Sequence, residues 1–169
     1  MIDIMRQFSA PWSRFLKVMS TIITVIICVA FWLAAPISSE VESFSFQLFL
    51  AILPVVILGS SAIFIIRRYE ITNDDIEIVR IISRTKYALD NIESIESNPK
   101  ATELSIRTMG NGGLYSISGF FRNKQLGAYR AYVTDAENCV VIKRKKGSPI
   151  VISPDDPTEF VEQVRRLIA

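Results

Sequence analysis

Two long apolar runs without a single charge decide most of what this chain can become. Val18 to Ala35 (VMSTIITVIICVAFWLAA) and Phe44 to Ile66 (FSFQLFLAILPVVILGSSAIFII) hold 18 and 23 residues with no Asp, Glu, Lys or Arg. As α-helices rising about 1.5 Å per residue they would measure about 27 and 34 Å, which brackets the roughly 30 Å hydrocarbon core of a bilayer. Only PISSEVES, Pro36 to Ser43, separates them. That is enough for a turn, so the runs predict an antiparallel transmembrane hairpin.

Charge beside the runs sets an orientation. Arg6, Arg14 and Lys17 precede the first and Arg67 and Arg68 follow the second, while the connecting turn carries only Glu40 and Glu42. The positive-inside rule then expects both termini, and everything after Ile66, on the cytoplasmic side of the membrane. A secretory signal is the rival reading of the first run, since Leu33-Ala34-Ala35 faintly resembles a cleavage site. Pro36 directly after it is a poor cut position, and the run exceeds the usual apolar stretch of about 7 to 15 residues. Neither run holds an ionisable residue, which argues against transport or channel function. Pro54 should kink the second span, and the small residues Gly59, Ser60, Ser61 and Ala62 allow close helix packing, either within the hairpin or in a homo-oligomer. Residues 1–17, with Met5, Phe8, Trp12 and Phe15 apolar, are expected to lie along the cytoplasmic membrane surface.

Composition narrows the chemistry. Half of the residues are hydrophobic, and 19 Lys and Arg against 17 Asp and Glu leave a net charge of +2. No nucleic-acid partner is implied. The absence of histidine excludes a Ser-His-Asp triad, a Cys-His dyad and HExxH zinc chemistry. Cys28 and Cys139 lie far apart in unlike segments, which supports neither a disulfide framework nor a metal knuckle. Neither a catalytic residue, a metal nor a cofactor is expected.

After Arg68 apolar residues begin to alternate with polar ones. Tyr69 to Thr72 and Ile76 to Ile82 flank Asn73-Asp74-Asp75 as a β-hairpin. Thr85 to Leu89, Ile92 to Ser97, Glu103 to Thr108, Tyr129 to Thr134, Val140 to Arg144 and Ile150 to Ser153 continue the strand signal. Then comes one helix, with Asp156 as N-cap, Pro157 at its first position and Glu159 completing a capping box. Phe160, Val161, Val164, Leu167 and Ile168 form its apolar stripe. Residues 67–169 therefore read as a mainly β domain, a small sandwich or barrel closed by a C-terminal helix, behind a hairpin over 18–66.

The order of these elements, with RYEITNDDIEI, GNGG followed by GFFRN, YRAYVTD and VISPDDPTEF, resembles the bacterial pleckstrin-homology-like domains, in the group where the domain follows membrane helices. The resemblance covers about Arg67 to Ala169. It implies a seven-stranded pleckstrin-homology fold and no particular activity.

Two stretches are candidates for function. Gly110 to Gly127 reads as an 18-residue connection between strands, and loops of that length are usually functional or mobile. Within it Gly112, Gly113, Phe120, Phe121, Arg122 and Asn123 are candidate partner-binding residues, because aromatic and Arg side chains supply most interface energy. The plainer alternative is that one Phe fills the core. Its glycines match neither GxGxxG nor GxxxxGK[ST], so a nucleotide is not expected, although a small ligand held by a regulatory subunit is a further reading. The run Lys143-Arg144-Lys145-Lys146 is a candidate contact for anionic lipid headgroups, with a solvated hairpin tip as the alternative. Phosphoinositide-binding relatives carry basic residues at the first hairpin, where this chain has Asn73-Asp74-Asp75. The leading expectation is a non-enzymatic interaction or assembly module held in the bilayer, with a membrane or cytoplasmic protein as partner.

Overall fold

A computed structural model describes residues 4–39 and 44–168. The first described element is a strand, β1 (Ile4–Ser9), followed by two long helices, α1 (Arg14–Ser39) and α2 (Phe44–Ala62). Both are long and apolar enough to cross a membrane, over Arg14–Leu33 and Ser45–Ala62. They lie alongside each other, and their large apolar side chains, Phe15, Ile26, Trp32, Phe49 and Val55 among them, are exposed. The first helix runs through Pro36 rather than stopping at Ala35, and the second ends four residues before the apolar run does. Ile66 belongs instead to the next strand and is buried in the domain core.

The remaining strands are β2 (Ile66–Thr72), β3 (Asp75–Arg80), β4 (Arg84–Ala88), β5 (Ile92–Ser97), β6 (Ile106–Gly112), β7 (Ile117–Asn123), β8 (Gly127–Val133), β9 (Val140–Arg144) and β10 (Ile150–Ile152). They are followed by α3 (Pro157–Ile168). One sheet has the order β1-β2-β3-β4 and the other β5-β9-β10-β8-β7-β6. The domain is thus a sandwich of two separate sheets, not a closed barrel, with ten strands among the described residues instead of seven.

β1 accounts for part of that difference. Residues expected to lie on the membrane surface instead pair antiparallel with β2, with Phe8 opposite Tyr69 and Gln7 opposite Glu70. The two helices are therefore an excursion between neighbouring strands of one sheet. Phe8 enters the core and meets Phe160 of α3 edge-on, with ring centroids 5.0 Å apart, a favoured aromatic geometry.

Alternation in the strands builds two apolar layers. The inner faces contribute Tyr69, Ile71, Ile76, Ile78, Ile95, Ile142, Ile150 and Ile152, sealed by Phe160, Val161 and Val164 of α3. On the opposite face of the six-stranded sheet, Phe121, Tyr129, Ala131, Val133, Val141 and Val151 form a second cluster with Cys139 and Ala101. The predicted start of α3 is as read: Asp156 Oδ1 accepts from Glu159 N at 2.9 Å, and Asp156 O from Phe160 N at 3.0 Å. Glu159 does not close the capping box back onto Asp156; its carboxylate pairs with Arg6, tying the helix start to β1.

A charged row crosses the outer face of the four-stranded sheet. Glu70 and Glu77 stand directly opposite each other and are fully buried beneath longer cations. Arg84 Nη1 lies 3.0 Å from Glu70 and 3.2 Å from Glu77, and Lys86 Nζ 2.7 Å from Glu77. Burial pushes the Glu77 carboxyl up, but hydrogen bonds and charge from Lys86 and Arg84 outweigh it and hold the group below its ordinary 4.5. Two adjacent carboxylates remain side by side because cations surround both.

Candidate interaction site

The stretch from Gly110 to Gly127 is not a long loop. It is the second half of a β-hairpin, β6 turning into β7, then a tight turn into β8. What reads as loop composition has a local cause. Gly110 and Gly119 face each other across the ribbon with φ of +110° and +141°, and a Cβ on either would run into the opposite backbone, at Ser118 O or Met109 O. Only glycine permits that approach. At the tip, Asn111 Oδ1 accepts from Gly113 N at 3.3 Å and Leu114 N at 3.1 Å, and its amide donates to Leu114 O. This is an Asx-type turn built from the sequence GNGG.

The tip docks on the chain's own helices. Ser20 of α1 accepts from Tyr115 N at 3.0 Å and donates to Gly113 O at 3.3 Å. Thr24 Oγ1 and Tyr115 Oη lie 3.1 Å apart, the Trp12 and Tyr115 rings have centroids 6.0 Å apart, and Ser116 Oγ donates to Phe64 O at 2.8 Å. Gly112 and Gly113 thus sit where the ribbon meets the root of the helical hairpin. Sequence reading had no local signal for this contact, because Ser20 and Tyr115 are 95 residues apart.

The other candidate residues separate. Phe121 is buried against Tyr129, with centroids 6.0 Å apart. Phe120 points to the other face, 42 % exposed, with the Arg130 guanidinium 4.8 Å above its ring. Arg122 is exposed. Asn123 is a turn residue: Oδ1 accepts from Gln125 N and Leu126 N, while Nδ2 donates to Ala101 O and Ser105 Oγ.

Strand alternation also disperses Lys143 to Lys146. Lys143 faces Glu96 at 3.9 Å, and Arg144 turns the other way, 5.3 Å over the Tyr87 ring with Nε donating to Ser148 O. Lys145 Nζ donates to Asp90 O at 2.8 Å, and the Lys146 backbone bonds to the Asn91 side chain. Arg80 and Arg130 also stack on the Tyr132 ring, whose hydroxyl lies 2.8 Å from that of Tyr87. Burial, then the hydrogen bond to Tyr132, push the Tyr87 hydroxyl far above its ordinary range.

Chemical reactivity is not prominent. Burial pushes the Cys139 thiol up to about 12, so it is protonated at neutral pH and packs as a small apolar group. Tyr69, raised to about 12 chiefly by burial, donates to Tyr132 O at 2.7 Å and binds the two sheets together. Among the described residues no group of three or more His, Cys, Asp or Glu is placed to hold a metal ion.

The β6–β7 ribbon is the most exposed part of the sandwich. The six-stranded sheet extends beyond its four-stranded partner, and β6 is its edge strand, hydrogen-bonded on one side only. Ile106 is 72 % and Met109 69 % exposed, beside Phe120.

No curated protein and no solved structure matches the chain. A family model described as Bacterial PH domain matches residues 67–168, which takes in every element from β2 to α3 and leaves out β1 and the two helices. A two-sheet sandwich closed by a capped C-terminal helix, matched over that length, makes this chain a member of the bacterial PH domain family.

Proposed function

We propose that the protein is a non-enzymatic interaction or assembly module, anchored in the bacterial inner membrane by α1 and α2 with the sandwich on the cytoplasmic face. The observation that carries this reading is the insertion of both helices between the paired strands β1 and β2. Such a hairpin has to leave and re-enter the same side of a bilayer. The apolar surfaces of the helices need a cover, and lipid supplies it without further partners. Arg6, Arg14, Lys17, Arg67 and Arg68 at the returning ends favour the cytoplasmic side. The tip contacts through Ser20, Thr24 and Phe64 hold the domain at a fixed attitude to its anchor, and confinement at the bilayer raises its effective concentration toward other membrane proteins.

Impermeant thiol labelling of intact cells tests the topology, in a background with Cys28→Ser and Cys139→Ala. Glu42→Cys, between the helices, should label from outside, and Lys146→Cys only after permeabilisation. The reverse pattern, or release of the protein by alkaline carbonate, refutes the anchoring. In-cell crosslinking that recovers no specific partner, hetero- or homomeric, refutes the module.

A further inference from the structure

We propose that β6 is a docking edge for an acidic, extended segment of a partner protein, which adds as a further strand to the six-stranded sheet. The inference rests on the interaction-module reading and specifies the chemistry of the partner. Three features coincide at this edge. First, β6 is seven residues long and pairs only with β7, so its outer N–H and C=O groups form an open ladder. Edge strands are normally blunted by shortness, proline, charged side chains, β-bulges or a covering element. Of these, β6 carries one charged side chain, Arg107, and one register shift, between Arg107 and Met109; it contains no proline, and among the described residues no third strand pairs with its outer edge.

Second, the surface around it offers anchors. Leu104, which is 96 % exposed and held at a positive φ of 52°, precedes Ile106 and Met109 along the edge. Leu104 and Ile106 line a hollow of about 640 Å³ at the start of the strand. Alternate side chains of an added strand fill such hollows, while the main chain supplies the affinity.

Third, the charge there is unbalanced. Lys100, Arg122 and Lys124 line the same hollow, where Glu103 is the only carboxylate. Arg107, on β6 itself, is a fourth cation outside the hollow, its guanidinium lying along the strand toward Gly112. Among the described residues none of these four cations forms an ion pair. They would attract a segment carrying Asp or Glu and repel a basic one. The same charges disfavour a parallel self-pair with a second copy of this chain, which would bring the cations at the start of one β6 against those of the other. An antiparallel self-pair would also set the anchored tip of one copy beside the far end of the other, which two chains in one bilayer cannot satisfy.

Amide hydrogen exchange on the full-length protein in neutral detergent tests the site, with a blocked peptide of alternating Glu and Val as probe. At about ten times its dissociation constant the peptide should slow alternate amides of residues 106–112 roughly tenfold. The effect should fade with added salt and be lost in Arg107→Glu/Arg122→Glu, whose core amides should exchange as in the parent. Arg122→Gln, a milder change, should weaken it. Unchanged exchange at millimolar peptide overturns the proposal, as does equal slowing by a control peptide of alternating Lys and Val. Slowing that needs no peptide but rises with protein concentration assigns the edge to a second copy, and slowing by phosphatidylglycerol micelles assigns it to lipid; either overturns the proposal. If the peptide leaves β6 untouched while partner crosslinks persist in native membranes, this site falls and the anchored-module reading stands.

Discussion

Ser20→Ala should release the β6–β7 tip from the helices while leaving the sandwich folded. One hydroxyl, on a side chain only 3 % exposed, serves two backbone groups of the tip: the Tyr115 N–H at 3.0 Å and the Gly113 carbonyl at 3.3 Å. Alanine removes the partner without opening a path for water to both groups. A buried polar group left unsatisfied costs about 1 to 3 kcal/mol. The tip residues are half-buried, so each group falls near the lower end and the pair loses about 2 kcal/mol. That corresponds to an opening equilibrium about 30 times more favourable. Amide exchange at Tyr115 reads this directly, and it should accelerate by about that factor while the β8 amides, protected by the sheet, stay unchanged. Ser20→Thr keeps the hydroxyl and should restore most of the protection. Thr24→Val loses only the contact with the Tyr115 hydroxyl and should have a smaller effect. Identical Tyr115 exchange in Ser20→Ala and the parent would refute the reasoning, and so would equal acceleration throughout the sheet.

Two further perturbations address the core and the charged sheet face. Phe160→Ala empties the centre of the inner layer, against Phe8, and should destabilise the domain by about 3 to 5 kcal/mol, seen as a lower unfolding midpoint of the full chain. Glu77 titrates below its ordinary 4.5 in the folded state, so its contribution is complete above that value and disappears as pH falls through the lower folded value. Denaturant midpoints should therefore decline from about pH 5 downward, and Glu77→Gln should both lower stability at neutral pH and flatten that decline. An acid limb of unchanged slope in the variant would show that Glu77 does not contribute to it.

Elements whose pattern is local were legible in the sequence. The helices α1 and α2 follow from uncharged length, and α3 from its Asp156 cap and the spacing of Phe160, Val164 and Leu167. β8 and β9 follow from alternation. Elements whose cause lies far along the chain were not. β1 reads as a surface segment because its partner, β2, arrives some sixty residues later, and nothing within IMRQFS announces the pairing of Phe8 with Tyr69. β7 was hidden by its glycines: Gly119 belongs to a strand because it faces Gly110, a reason invisible one residue at a time. The same alternation sets Lys143 and Arg144, neighbours in sequence, on opposite sides of β9. Distance along the chain concealed the stacked arginines, since positions 80, 130 and 144 share no local motif. Of the partner-binding candidates, Phe120 and Arg122 are exposed on the ribbon beside the open edge. Phe121 and Asn123 serve the fold, and the two glycines meet the helices.

The insertion of the helices between β1 and β2 also orders the protein's biogenesis. During synthesis β1 leaves the ribosome before the two helices, yet its partner does not exist until β2 has been made, after them. On the proposed membrane anchoring, those helices would enter the bilayer as they emerge, β1 would wait unpaired on the cytoplasmic side, and the later sheet would close onto it. Closure then works as a latch: inverting the hairpin would require dragging a folded sandwich apart at its first strand pair. A fragment beginning at Arg67, the start of the family match, would lack that strand and leave the length of β2 as a bare edge. For this chain, the helical hairpin and the domain are joined by a single step, the pairing of six residues that were translated before either.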